Sequence, residues 1–138
     1  MATKVVVEEE DASELKLGYE FQEARCLMIS EVAVVLDTYL TRRKEEAPDE
    51  QPNTVFEKCL EYCKRFNRFE NPEAVQSVRE LLQNKDLYEF EVGVIGNLVP
   101  ENAAEAKALC PTLEDQRELE DEDIDAMLAT LATFKTLQ

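Results

Sequence analysis

DLYEFEVGVIGNLVPENAAEAKALCPTL, residues 86–113, decides the fold, because it spells out the start and stop of a helix twice within one short stretch. Asp86 is followed three residues later by Glu89, and Asn102 three residues later by Glu105. Each pair offers a side-chain acceptor for the free amides of a first helical turn, with a reciprocal carboxylate to complete it. Val99-Pro100 separates the two helices and Cys110-Pro111 ends the second, since proline disfavours helix in the residue before it. The signals predict helices over about 87–98 and 103–109. Gly93 and Gly96 lie inside the first, each at a cost of up to about 1 kcal/mol relative to alanine, which predicts a tight helix crossing with close backbones.

Outward from that stretch the chain stays helical. Ile124, Met127, Leu128, Leu131 and Phe134 define a last helix after an acidic connector. Upstream, Asn71-Pro72 supplies a cap and a first-turn proline for a helix carrying Ala74, Val75, Val78, Leu81 and Leu82 and closing at Asn84. A helix over about 53–69 has Val55, Phe56, Cys59, Leu60, Tyr62, Cys63, Phe66 and Phe69 around nearly half its circumference, a width that predicts the centre of a bundle. Ser30 is placed to cap a helix reaching Lys44, with Val32, Val35, Leu36, Tyr39 and Leu40 on its apolar side.

Two segments break the helical pattern. EEAPDEQP, residues 45–52, reads as an exposed linker. In LKLGYEF, residues 15–21, Leu15, Leu17, Tyr19 and Phe21 alternate with Lys16, Gly18 and Glu20, the period of an extended segment. A lone strand needs a sheet to join, and in an otherwise helical chain another protein is its most economical supplier. Residues 1–14 read as a flexible acidic tail, 15–44 as a docking arm with the first helix, and 53–138 as a helical bundle. The fold class is all-α with an extended amino-terminal arm.

Composition narrows the chemistry. Thirty-one acids against 15 bases leave a formal charge of -16, which repels free nucleic acid from the molecule as a whole. The basic residues Lys58, Lys64, Arg65 and Arg68, with Arg79 on the next helix, are the candidate for nucleic-acid contact, although a solvated face neutralising nearby acids is the reading the net charge favours. With no histidine, serine-histidine and cysteine-histidine nucleophile pairs cannot be built. Cys26, Cys59, Cys63 and Cys110 fit reduced thiols on apolar helical faces better than a disulfide framework or a zinc site. Asp121, Asp123 and Asp125 mimic a calcium loop, but Ala126 and Ala132 replace the glycine and the bidentate glutamate it needs. No glycine-rich phosphate loop exists, and no apolar run reaches the roughly 20 residues of a membrane span. The reading is a non-enzyme with no metal, cofactor, small-molecule substrate or membrane partner.

LKLGYEF, CLMISEVAVVL at 26–36, VFEKCLEYCKRFNRF at 55–69 followed by ENPEAVQSVRELL, and the EFEVGVIGNLVPENAAEAKALCPTL block at 89–113 occur in an order that resembles the fourth-subunit family of eukaryotic RNA polymerase II. The likeness covers about residues 12–138. It implies a bundle of the helicase-and-RNase-D carboxyl-terminal (HRDC-like) type and a heterodimer with the seventh polymerase subunit, a stalk beside the RNA exit path that supports initiation and RNA handling. It implies a nuclear location, with shuttling to the cytoplasm compatible with it. By the same analogy Leu15, Leu17 and Phe21 would add to the partner, while Ile29, Val32, Leu36, Phe90, Val94, Leu98 and Pro100 would pack on it. RNA contact would fall mainly to that partner. The corresponding subunit of RNA polymerase III and an independent nucleic-acid-binding helical domain are the rival readings.

Overall fold

The computed structural model describes residues 9–11, 14, 16–21, 23–114 and 119–135. Among these the chain is all-helical: α1 (Ile29–Glu46), α2 (Thr54–Phe66), α3 (Pro72–Gln83), α4 (Glu89–Leu98), α5 (Ala103–Leu109), a 3-10 turn at Pro111–Glu114, and α6 (Asp121–Phe134). No helix among the described residues is long and apolar enough to cross a membrane. Residues 1–8 of the acidic tail, and Leu15 of the arm, lie outside the described residues.

The core forms where α3, α4, α5 and α6 meet. Val78, Leu82, Ile95, Ile124 and Leu131 have no more than 1% of their surface exposed, and Phe69 from the α2–α3 connection is fully buried among them. Burying each such side chain contributes about 1.5–3 kcal/mol. The caps of α3 and α5 follow the sequence signals. Asn71 Oδ1 accepts from Glu73 N at 2.9 Å with Pro72 at the first helical position, and Asn102 Oδ1 accepts from Glu105 N at 2.9 Å. Asp125 on α6 adds a cap from outside the helix, its carboxylate accepting from Ala103 N at 2.7 Å. Val99 ends α4 in the left-handed conformation, φ 46°, and Pro100 then prevents the helix from resuming.

Several local expectations are corrected. The cap of α4 sits two residues later than the Asp86/Glu89 pair suggests: Glu91 Oε2 accepts from Tyr88 N at 2.8 Å, while Glu89 is drawn away to the arm. Glu105 likewise accepts from Glu101 N rather than from Asn102. Ser30 does not cap α1. Met28 is the cap residue and Glu31 accepts its amide at 2.9 Å, while Ser30 lies inside the first turn, 2% exposed, with Oγ accepting from Arg68 N at 3.1 Å and Phe69 N at 3.2 Å. A buried hydroxyl finds more value in two otherwise free loop amides than in its own helix.

The glycines of α4 serve a different neighbour from the one expected. A Cβ on Gly96 would stand 2.8 Å from Met28 Cγ, and one on Gly93 would stand 3.5 Å from Cys26 Cβ. What crosses α4 most closely is the arm leading into α1, with Leu82 of α3 next, its Cδ1 3.6 Å from a Cβ on Gly96. Helix α2 stops at Phe66, and only Phe56, Leu60 and Cys63 turn inward along it. Val55, Cys59, Tyr62 and Phe66 are exposed, so the wide apolar face is split between core and surface rather than placed at the bundle centre.

Nor does the alternating arm segment run straight. Asp11 and Lys16 pair antiparallel, Gly18 takes φ +78°, and Phe21 N donates to Gly18 O at 3.1 Å. With no sheet edge among the described residues, the backbone groups that a strand would leave open are satisfied by local turns.

Candidate partner interface

Three elements converge where the arm passes α4. Ile29 N donates to Asn97 Oδ1 at 2.8 Å, joining the first turn of α1 to the last turn of α4. Cys26 N donates to Glu89 Oε2 at 3.3 Å, and the fully buried Met28 fills the space left by Gly96. The whole joint is organised by Arg79 of α3. Its Nε donates to Glu31 Oε2 at 3.0 Å, Nη2 reaches both Glu31 Oε1 and the Cys26 carbonyl, the latter at 2.6 Å, and Nη1 lies 3.5 Å from Glu89 Oε2. The hydrogen bond to Glu31 raises the Arg79 pKa against the opposing effect of burial, so this cation is fixed. Arg79 is 9% exposed and is removed from the basic surface that the sequence suggested.

On this scaffold two apolar helical faces turn outward. Ile29, Val32 and Leu36 follow helical spacing along α1 and are half-buried, and Val35 and Tyr39 extend the same side with 57% and 53% exposure. Phe90, Val94 and Leu98 repeat every fourth residue along α4, with Leu98 49% exposed. Leu17 and Phe21 of the arm line one open cleft with Leu87, Tyr88 and Phe90. Of the positions named from sequence, Leu17, Phe21 and Phe90 are thus brought together, while Val94 and Leu98 lie outside that cleft. Pro100 is buried in the fold and withdrawn from the surface. Val35 and Tyr39, read from sequence on the apolar side of α1 but not assigned to the partner contact, and Tyr88, which no sequence signal marked, are also exposed here.

The basic residues do not form one stripe. Lys64 faces α1 and pairs with Asp37 at 2.9 Å, and Arg68 is half-buried with its backbone tied to Ser30. Lys58 and Arg65 alone share an exposed side of α2. Of the thiols, Cys63 and Cys110 are buried, Cys26 half-buried and Cys59 exposed, so Cys59 departs from the expected apolar packing. Burial, and secondarily the Cys59 thiol, raise the pKa of Cys63. Among the described residues no three metal-binding side chains converge.

Residues 26–135 match the family model described as RNA polymerase Rpb4. The chain is 46% identical over 134 residues to "DNA-directed RNA polymerase II subunit 4" of Arabidopsis thaliana, covering 95% of this chain and 97% of that protein. It is 35% identical over 131 residues to the rpb4 subunit of polymerase II from Schizosaccharomyces pombe, covering 94% and 95%. The matched region begins at Cys26, whose carbonyl Arg79 holds, and runs through the last helix, taking in α1 and α4 with their outward apolar faces. With that span matched and relatives aligned nearly end to end, the chain belongs to the RNA polymerase Rpb4 family.

Proposed function

We propose that this chain works as a non-catalytic subunit of nuclear RNA polymerase II, paired one-to-one with the seventh subunit in the stalk beside the RNA exit path, where it supports initiation and RNA handling. The observation that carries the reading is the pair of outward apolar faces, Ile29, Val32 and Leu36 on α1 and Phe90, Val94 and Leu98 on α4, tied together through Ile29 and Asn97. Apolar faces of this kind on a folded surface mark protein contacts. The arm adds Leu17 and Phe21 beside Phe90, and its turns can open into an extended segment once a sheet edge is supplied. Leu15 belongs to the same proposed contact. The helical domain is proposed to be of the HRDC-like type.

The polymerase II class is supported by its relatives in Arabidopsis thaliana and Schizosaccharomyces pombe, both polymerase II subunits by name. Nucleic acid is left mainly to the partner, in keeping with the net charge of -16. The test is co-expression with the seventh subunit of polymerase II and, separately, with its polymerase III counterpart, followed by purification through a tag on this chain. Stoichiometric recovery of the former alone supports the reading, and Leu36→Glu with Leu98→Glu, neither packed against the core, should abolish it while leaving the helical signal intact. Recovery of neither subunit, or recovery that the double variant leaves unchanged, removes it.

A further inference from the structure

Helix α2 carries an apolar seam that the fold leaves open. Val55, Cys59, Tyr62 and Phe66 recur at i, i+4, i+7 and i+11, the d-a-d-a spacing of a coiled coil. All four are exposed, Val55 at 68%, Tyr62 at 56% and Phe66 at 50%, and the rings of the last two lie 4.8 Å apart. In the same register Phe56 and Cys63 take the e positions and Lys58 and Arg65 the g positions. Phe56 packs on Tyr39 and Cys63 is buried, so only the g flank remains open to a partner. Among the described residues neither Lys58 nor Arg65 has an ion-pair partner, although the chain holds 31 acids.

We propose that the outer face of α2 docks an acidic amphipathic helix of a partner protein, its apolar seam on Val55, Cys59, Tyr62 and Phe66 and its flanking carboxylates on Lys58 and Arg65. The seam spans about 16 Å, the length of three helical turns. Charge selects this occupant over a second copy. In an antiparallel pair of copies the g positions face one another, which sets Lys58 against the partner's Arg65, and in a parallel pair the g flank meets an e flank already turned into its own core. RNA is disfavoured because it brings no apolar helical face to cover the seam, and two bases supply too few phosphate contacts. The site lies on a different helix from the α1 and α4 faces and does not depend on which subunit covers those.

The experiment uses the full chain and three labelled probes: a helical peptide of about 21 residues with leucine at a and d and glutamate at e and g, the same peptide with lysine at e and g, and a 20-nucleotide single-stranded RNA. Fluorescence anisotropy should show the acidic peptide binding at least about tenfold tighter than the basic one, with Lys58→Glu and Arg65→Glu together inverting that preference. Tyr62→Ser should weaken the acidic peptide, and the bound peptide should slow alkylation of Cys59. All these positions are exposed, and circular dichroism checks that the variants stay folded. Binding of neither peptide, equal binding of both, a preference unmoved by the charge reversal, tighter binding of the RNA, or self-association lost in Tyr62→Ser would each overturn the proposal.

Discussion

Arg79 of α3 grips the Glu31 carboxylate of α1 with both Nε and Nη2, and the same Nη2 holds the backbone carbonyl of Cys26. One buried guanidinium therefore ties together the third helix, the first helix and the arm, with Glu89 of α4 completing the ring of acceptors. Removing it leaves Glu31 and the Cys26 carbonyl in a half-buried joint with no cation between them.

Arg79→Ala is expected to destabilise the fold by about 3–5 kcal/mol, because breaking a buried pair leaves its partner charge uncompensated. Arg79→Met combined with Glu31→Met should recover only part of that loss, since apolar residues replace the buried pair at little net cost while the Met28 amide and the Cys26 carbonyl lose their partners. Urea unfolding of the two variants measures both effects. A loss below about 1 kcal/mol in the single variant would show that the joint is carried by something else.

Ser30→Ala tests the link between α1 and the α2–α3 connection. Its hydroxyl oxygen serves the Arg68 and Phe69 amides from a site only 2% exposed, and each unsatisfied buried group costs about 1–3 kcal/mol. The expected loss is about 2 kcal/mol, with faster amide exchange at Arg68 and Phe69 but not along α6. Unchanged protection of those two amides would contradict the role assigned to Ser30.

Gly96 and Gly93 should respond oppositely to alanine. At Gly96 the new methyl meets the fully buried Met28, so overpacking by about 1–3 kcal/mol outweighs the helix propensity gained. At Gly93 the nearest side-chain atom is at ordinary contact distance, 3.5 Å, and the propensity gain of up to about 1 kcal/mol should survive. Thermal unfolding ranks the pair, and Gly96→Ala as stable as Gly93→Ala would mean that Met28 is not locked against α4.

The contrast between these residues explains how far the sequence could be read. Asn71, Pro72 and Asn102 act on amides two or three residues away, so their roles are visible in a short window of sequence, as are the apolar positions of α6. Ser30 and Glu89 carry equally good local signals but are claimed by partners 39 and 63 residues away, and a local pattern cannot weigh that competition. Periodicity also reported that α2 is apolar over a wide arc without saying which half would be covered. Arg79 looked like one more surface base because nothing near it in sequence announces Glu31, 48 residues upstream. The apolar side of α1 was legible through its spacing, whereas Phe90, Val94, Leu98 and Pro100 came only from the family resemblance, and of these Pro100 is buried.

The two thiols of α2 should separate by reactivity and by pH. Cys63 is 7% exposed and burial holds its pKa above the ordinary thiol range, whereas Cys59, one turn earlier, is exposed. The thiolate is the reactive form, so near pH 8 iodoacetamide should modify Cys59 at least about tenfold faster than Cys63, as read by peptide mass spectrometry. The raised pKa also has a consequence for stability. Below the unfolded thiol pKa of about 8.5 both states keep the proton and the contribution of Cys63 is intact. As pH rises through that value the unfolded chain releases its proton while the folded one still holds it, so stability falls with increasing pH until the folded thiol also ionises. Cys63→Ala should flatten this alkaline slope and Cys59→Ala should change it less, because the Cys59 thiol is only the smaller of the two causes of the shift. Equal alkylation rates in the native protein, or an alkaline slope indifferent to Cys63→Ala, would place that thiol at the surface rather than between α2 and the core.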